Sequence, residues 1–101
     1  MPKGYVIITE AIHDPAGMEA YGRTSGASLA EHGGTVLVVD DDVEVVEGQW
    51  HGSRSVVLEF NSVDEARQWY RSPSYQAAAP LRQAAAECNV VIASGFVPRG
   101  G

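Results

Sequence analysis

The stretch FNSVDEARQWYRSPSYQAAAPLRQAAAECN, residues 60–89, decides how the rest of the chain is read. Trp69 and Tyr70 stand just before a Ser-Pro step, and a further ring, Tyr75, precedes a run of alanines. Ser62 and Glu65 have the spacing of a capping box, in which each side chain satisfies a free backbone donor at a helix start. A helix therefore begins there and runs through VDEARQWYR, with Ala66, Trp69 and Tyr70 inward. Ser72-Pro73 breaks it, because the residue before proline disfavours helical geometry and proline suits a new first turn. A short segment, SYQAAA, follows, and Pro80 permits a third piece from about Leu81 to Glu87. The broken helix wraps one face of a sheet and presents Trp69 and Tyr75 from different angles.

The flanking stretches supply that sheet. GYVIITEAI, residues 4–12, reads as a strand because β-branched residues dominate and a turn signal ends it. Tyr5, Ile7, Thr9 and Ala11 fall on one face, and Val6, Ile8 and Glu10 on the other. Asp14-Pro15 supplies an N-cap followed by proline at the first helical position. That helix runs to about His32, with Met18, Tyr21, Ser25, Leu29 and His32 on one stripe, and Gly33-Gly34 ends it. Gly17, Gly22 and Gly26 lie within it or near its start, each interior one costing about 1 kcal/mol relative to alanine. Either packing tolerates them or they make room for a ligand or a partner backbone.

TVLVVDDDVEVVEGQW reads as two extended runs, Thr35 to Val39 and Val43 to Glu47, joined through Asp40, Asp41 and Asp42 as a hairpin or bent extension. RSVVLEFNS is the next strand, with Val56, Leu58 and Phe60 on one face and Val57 and Glu59 on the other. NVVIASGF from Asn89 is the last, and VPRGG is a tail. The order describes an α+β, ferredoxin-like split β-α-β sandwich whose helices cover one face of an antiparallel sheet. Apolar residues remain on the uncovered face, and a second copy of the chain is their simplest cover.

Composition narrows the classes. A chain of 101 residues is expected to form one domain, 1–101, with a core of about 3–96. Seven Lys and Arg against thirteen Asp and Glu give a net charge of −6 without a basic cluster, which argues against a nucleic-acid partner. The apolar runs are far shorter than the ~20 residues that span a bilayer, and MPKGYVIITE reaches Glu10 before a signal-peptide core forms. A cytoplasmic protein with no membrane contact is the expectation. Cys88 is the single cysteine, so a disulfide within the chain is impossible, and it reads as a small, partly buried hydrophobe.

The segments KGYVI, DPAGMEAY, EHGGTVLV, VEVVEGQW, RSVVLEFNS and EARQWYRSPSYQAAAPLRQAAAECNVVIASG together resemble domain-of-unknown-function family 1330, within the dimeric α+β barrel group. The resemblance covers residues 3 to 96, and EARQWYRSPSYQ is its most specific element. It implies a ferredoxin-like protomer whose sheet pairs with another to make a barrel. It implies no defined activity. Other barrels of this group resemble cofactor-independent cyclases, monooxygenases, isomerases, muconolactone-type enzymes and heme-handling proteins, an analogy of fold alone.

Among residues able to carry chemistry, the histidines titrate nearest neutral pH. His13, where the first strand meets the first helix, is a candidate general acid or base, against a solvated turn residue. His32 sits in the last helical turn, where the helix dipole favours a cation. His51 follows Trp50 in the glycine-flanked turn EGQWHGSR and reads as exposed. Glu59, in the middle of VVLEF, faces the barrel interior or the subunit interface; it either pairs with Arg54 or, raised in pKa by burial, serves as a base. Tyr21, Trp50, Trp69 and Tyr75 carry rings with polar tips that suit a small-molecule pocket and suit a core equally.

The expected catalytic set is His13, Glu59, Tyr21 and His32, and the expected substrate-binding set Arg54, Trp50, Trp69 and Tyr75, with no metal and no cofactor. DDDVEVVE lacks the glycine and final glutamate of a calcium loop and reads as a solvated acidic turn. There is no phosphate-cradling loop, GxSxG or HExxH. The expectation is a homodimeric, cofactor-independent enzyme doing acid/base chemistry (cyclisation, isomerisation or elimination) on a small apolar or aromatic molecule. A non-catalytic homodimeric ligand-binding or accessory protein is the alternative, and a cofactor-free or heme-linked monooxygenase the second.

Overall fold

The computed structural model describes residues 2–98; residues 1 and 99–101, the latter the end of the expected tail, lie outside them. The elements are β1 (Gly4–Ile12), α1 (Pro15–Glu31), β2 (Thr35–Asp40), β3 (Arg54–Phe60), α2 (Val63–Arg71), α3 (Pro73–Ala85) and β4 (Ala86–Ser94). Their ends follow local chemistry. The Asp14 carboxylate accepts the Gly17 N–H at 3.2 Å above Pro15, and Ser62 Oγ accepts the Glu65 N–H at 3.1 Å. Gly33 takes φ +70° past the end of α1, a conformation that costs glycine nothing, and Gly34 N–H closes the turn on Leu29 O at 3.0 Å.

Ser72 serves two helices at once. It ends α2 with extended backbone, donates its hydroxyl to Trp69 O at 2.7 Å, and accepts the Tyr75 N–H at 3.2 Å as the cap of α3. The break therefore stands where the Ser-Pro step puts it. Pro80, by contrast, does not divide the helix: α3, 13 residues long, continues past it to Ala85. Pro80 faces solvent while Tyr75, Ala78, Ala79, Arg82 and Ala85 are buried along the opposite side, and that burial outweighs the ~3 kcal/mol an interior proline costs. β4 follows directly from Ala86, three residues before the expected Asn89. The second extended run, Val43 to Glu47, is not a strand; residues 41–53 form an irregular arm with exposed Val45, Val46 and Trp50.

The sheet has the order β2-β3-β1-β4 with every neighbouring pair antiparallel, the α+β ferredoxin-like arrangement expected. Register assigns the faces. Val6↔Leu58, Ile8↔Val56 and Glu10↔Arg54 lie on the helix-covered side, joined by Cys88, Val90 and Ile92 of β4. Tyr5↔Glu59, Ile7↔Val57 and Thr9↔Ser55 lie on the other side, with Asn89 and Val91. The core is built from Val6, Ile8, Leu58, Phe60, Ala66, Trp69, Tyr75 and Ala79. Trp69 is its centre, with ring centroids 5.5 Å from Phe60 and 4.2 Å from Tyr75. No helix among the described residues covers the other face, where Val38 is 41% and Val91 54% exposed. No helix among the described residues is long and apolar enough to cross a membrane.

Candidate functional site

Between α1 and the covered face of β1, β3 and β2 lies a chamber of about 230 Å³. Ile8, Val56 and Leu58 form its floor, Met18 and Leu29 come from α1, and Trp69 closes one end. The indole is fixed by its N–H donating to Ser28 Oγ at 3.2 Å. Gly22 and Gly26, one turn apart on α1, also line it, and a Cβ added to either would meet nothing within 4 Å. Their missing side chains are chamber volume. The polar groups in this apolar surround are Glu10, Arg54, Tyr21 and Ser25.

Glu10 is the unusual one. It is 2% exposed, yet its carboxylate forms no hydrogen bond and no ion pair among the described residues, whose ion pairs are those of Arg23, Arg54 and Arg67. No fully enclosed side-chain oxygen or nitrogen there lacks a partner, so the Glu10 oxygens open onto the chamber. Its main chain is held firmly. Gly52, at φ +79°, lets the arm lie against the Glu10–Ala11 backbone where a Cβ would collide, and Ser53 N–H donates to Glu10 O at 2.8 Å. Burial pushes the carboxyl above the usual glutamate range, against the downward pull of Arg54 and Arg82.

Arg54 stands opposite Glu10 in the β1–β3 register, but its Nε–H donates to Asp41 Oδ1 in the arm. That bond is the first cause of its raised pKa. Arg82 is 4% exposed on the inner side of α3. Its Nε–H donates to Tyr75 Oη at 3.2 Å, and its guanidinium lies 6.0 Å from the centre of the Tyr21 ring. Burial opposes its charge, but the nearby Cys88 thiol and the Tyr75 and Tyr21 hydroxyls together outweigh it and hold the guanidinium above its ordinary value. Tyr75 Oη is 2.9 Å from Tyr21 Oη. Burial drives the Tyr21 phenol far above its ordinary value, so it stays protonated. The Cys88 thiol, beside Glu10 on β4, is also raised, first by burial.

The residues expected to carry chemistry are dispersed. Tyr21, Arg54 and Trp69 line the chamber, and Tyr75 stands behind Tyr21. Glu59 lies on the opposite face of the sheet, where it accepts the Tyr5 hydroxyl at 3.0 Å; the expected pair with Arg54 does not form, because strand alternation points the two to opposite sides. His13 is exposed at the α1 entry, outside the chamber lining, with its main-chain N–H donating to Ala85 O at 3.0 Å. His32 caps the end of α1, its Nδ1 3.0 Å from Ser28 O. His51 and Trp50 sit on the arm over the bare face, against Thr9 Oγ1 at 2.8 Å and Ser55 Oγ at 2.9 Å. Glu10 and Arg82 escaped the sequence reading. The signal for Glu10 was present, since it extends the Val6–Ile8 face; Arg82 stands two turns after Tyr75, which puts both on one side of α3.

Comparison with known proteins agrees with this architecture. The family described as Domain of unknown function (DUF1330) matches residues 3–96. No curated protein matches the chain. A protein of unknown function from Rhodopseudomonas palustris, RPA0582, superposes with a TM-score of 0.76 at 22% identity, covering 96% of this chain and 85% of that one. SnoaB, a cofactor-independent oxygenase from Streptomyces nogalater, superposes at 0.69 and 14% identity over 100% of both chains. A dimeric protein of unknown function and ferredoxin-like fold from Bacteroides fragilis superposes at 0.60 and 14% identity, covering 91% of this chain and 95% of that one. At these identities the likeness is one of fold.

Proposed function

This chain belongs to the DUF1330 family, and we propose that it is a small-molecule enzyme whose chamber carries out cofactor-independent proton transfer on a small apolar or aromatic molecule. The reading rests on Glu10. A carboxylate that is buried, unpaired and open to an apolar chamber is costly to hold, and a raised pKa suits it to taking a proton and giving it back. A neutral ligand bearing a donor toward Glu10 relieves that cost. When the proton moves to Glu10, the negative charge moves to the ligand, within the field of Arg54 and Arg82. Leu29, Leu58 and Trp69 hold the apolar body of the ligand and exclude water, which strengthens those charge interactions.

Homodimerisation is part of the proposal. The bare face exposes Val38 and Val91 beside Ile7 and Val57, and a second copy laid against it would close a barrel. The Bacteroides fragilis protein of the same fold is dimeric.

The test is exchange of a ligand proton for solvent deuterium, followed by NMR over a panel of small aromatic and apolar molecules. The wild type is expected to exchange at least one of them, and Glu10→Gln to lose about 10²–10⁴ of the rate with the fold retained. Exchange that survives the substitution would contradict this reading. The fold shared with SnoaB makes cofactor-independent oxygenation the second reading. Oxygen consumption during turnover would favour it over simple proton transfer.

A further inference from the structure

The direction of one hydrogen-bond chain can be worked out from its ends. Tyr75 is 0% exposed, and among the described residues its hydroxyl has two neighbours, the Arg82 Nε–H at 3.2 Å and Tyr21 Oη at 2.9 Å. Arg82 has no lone pair and donates. The Tyr75 proton therefore has one place to go, Tyr21 Oη, since a fully buried hydroxyl proton is not left unused. Tyr21 then accepts from Tyr75, and its own proton is free. Tyr21 lines the chamber; Tyr75 and Arg82 do not. A phenol of the chamber wall thus keeps a proton that Tyr75 does not engage, and a second phenol and a buried cation stand behind it, each donor strengthening the next.

Resting on the proton-transfer reading of Glu10, we infer that Tyr21 is the chamber's oxyanion donor, energised through Tyr75 by Arg82, and that the substrate is a neutral carbonyl compound with an acidic α-hydrogen. The chamber offers such a molecule an acceptor, Glu10, for its C–H and a donor, Tyr21, for its carbonyl oxygen. In the step, the C–H bond breaks and the proton goes to the Glu10 carboxylate. The C–H electron pair forms the new C=C bond, and the carbonyl π pair moves onto oxygen, where Tyr21 donates to it. The proton returns to the same or a conjugated carbon, giving exchange or isomerisation, and nothing is oxidised or reduced. Tyr75 and Arg82 touch no ligand and are positioning residues.

The test uses 2-naphthol as the probe, because its ionised form is an aromatic oxyanion with its own fluorescence. Glu10→Gln supplies the chamber as it stands after proton transfer, neutral at that position. This protein is expected to bind the naphtholate form, and adding Tyr21→Phe is expected to weaken that binding about tenfold or more, the loss of a hydrogen bond to a charged group. Adding Tyr75→Phe instead should weaken it severalfold and move the ionisation of the bound probe to higher pH, a change that loss of packing alone would not cause. Both phenylalanines keep the ring in place. Naphtholate binding indifferent to both substitutions would overturn the inference while leaving Glu10 as the proton acceptor. Failure of 2-naphthol to bind either the wild type or Glu10→Gln would overturn the inference too, while the role of Glu10 stands or falls on the exchange experiment.

Discussion

Glu10 and Arg54 face each other across β1 and β3 on the covered side of the sheet and do not pair; Arg54 turns instead to Asp41. The arm thus takes the nearest cation away from the buried carboxylate. Glu10 is left buried and short of partners, which is unfavourable for its charged form and useful for chemistry.

Glu10→Gln should therefore stabilise the protein as it removes activity. Burial raises the folded-state pKa of Glu10 above its unfolded value. Folding then favours the protonated form, so the contribution to stability is full below the unfolded pKa and is lost as pH rises through the folded one. Thermal unfolding at several pH values is expected to show Glu10→Gln ahead of the wild type at neutral pH by about 1 kcal/mol, or roughly 4–8 °C in Tm. The gap should close in acid. A variant less stable at neutral pH would contradict this.

Asp41→Asn should act on Glu10 at a distance. The Asp41–Arg54 pair is partly exposed, so its loss should cost no more than about 1 kcal/mol of stability. Asp41 is one of the charges that raise Glu10, and removing it also frees Arg54. The infrared band of the protonated Glu10 carboxyl, identified by its disappearance in Glu10→Gln, should vanish at lower pH in Asp41→Asn than in the wild type.

Gly26 tests the chamber wall. With nothing within 4 Å of an added Cβ, Gly26→Ala should gain up to about 1 kcal/mol from helix propensity. Gly26→Leu places a branched side chain in the chamber volume and should abolish 2-naphthol binding without unfolding the protein. Binding unchanged by leucine would place the ligand elsewhere.

Val91→Lys tests the bare sheet. Static light scattering of the wild type at micromolar concentration should report twice the chain mass of 10.8 kDa. A lysine in the middle of the uncovered face should shift the population to 10.8 kDa. A wild type that is itself monomeric would remove the barrel from the account.

Local chemistry carried most of the fold. Asp14, Ser62, Ser72 and Gly33 act through bonds to their near neighbours in sequence, and each ends or starts an element where its type demands. Pro80 misled because its cost is local while the burial that overrides it comes from distant residues. Val43 to Glu47 misled for a related reason: β propensity describes a half-buried surface, and within one chain the arm has none to lie on. The site was less legible. Glu59 and Glu10 are both glutamates in apolar strands, and which of them faces the chamber depends on the side the helices cover. Histidine is conspicuous in a sequence by its intrinsic pKa, whereas the carboxylate of the chamber is marked only by an environment assembled from β1, β3, α1 and α3.

The central claim, that Glu10 is a buried, unpaired carboxylate at a ligand site, is tested most directly by carbon-13 NMR of its side-chain carboxyl, assigned through Glu10→Gln and titrated with and without 2-naphthol. The account predicts a titration midpoint above the ordinary glutamate range and a resonance that moves when the probe binds. A midpoint in the ordinary glutamate range, with no response to the probe, would contradict it.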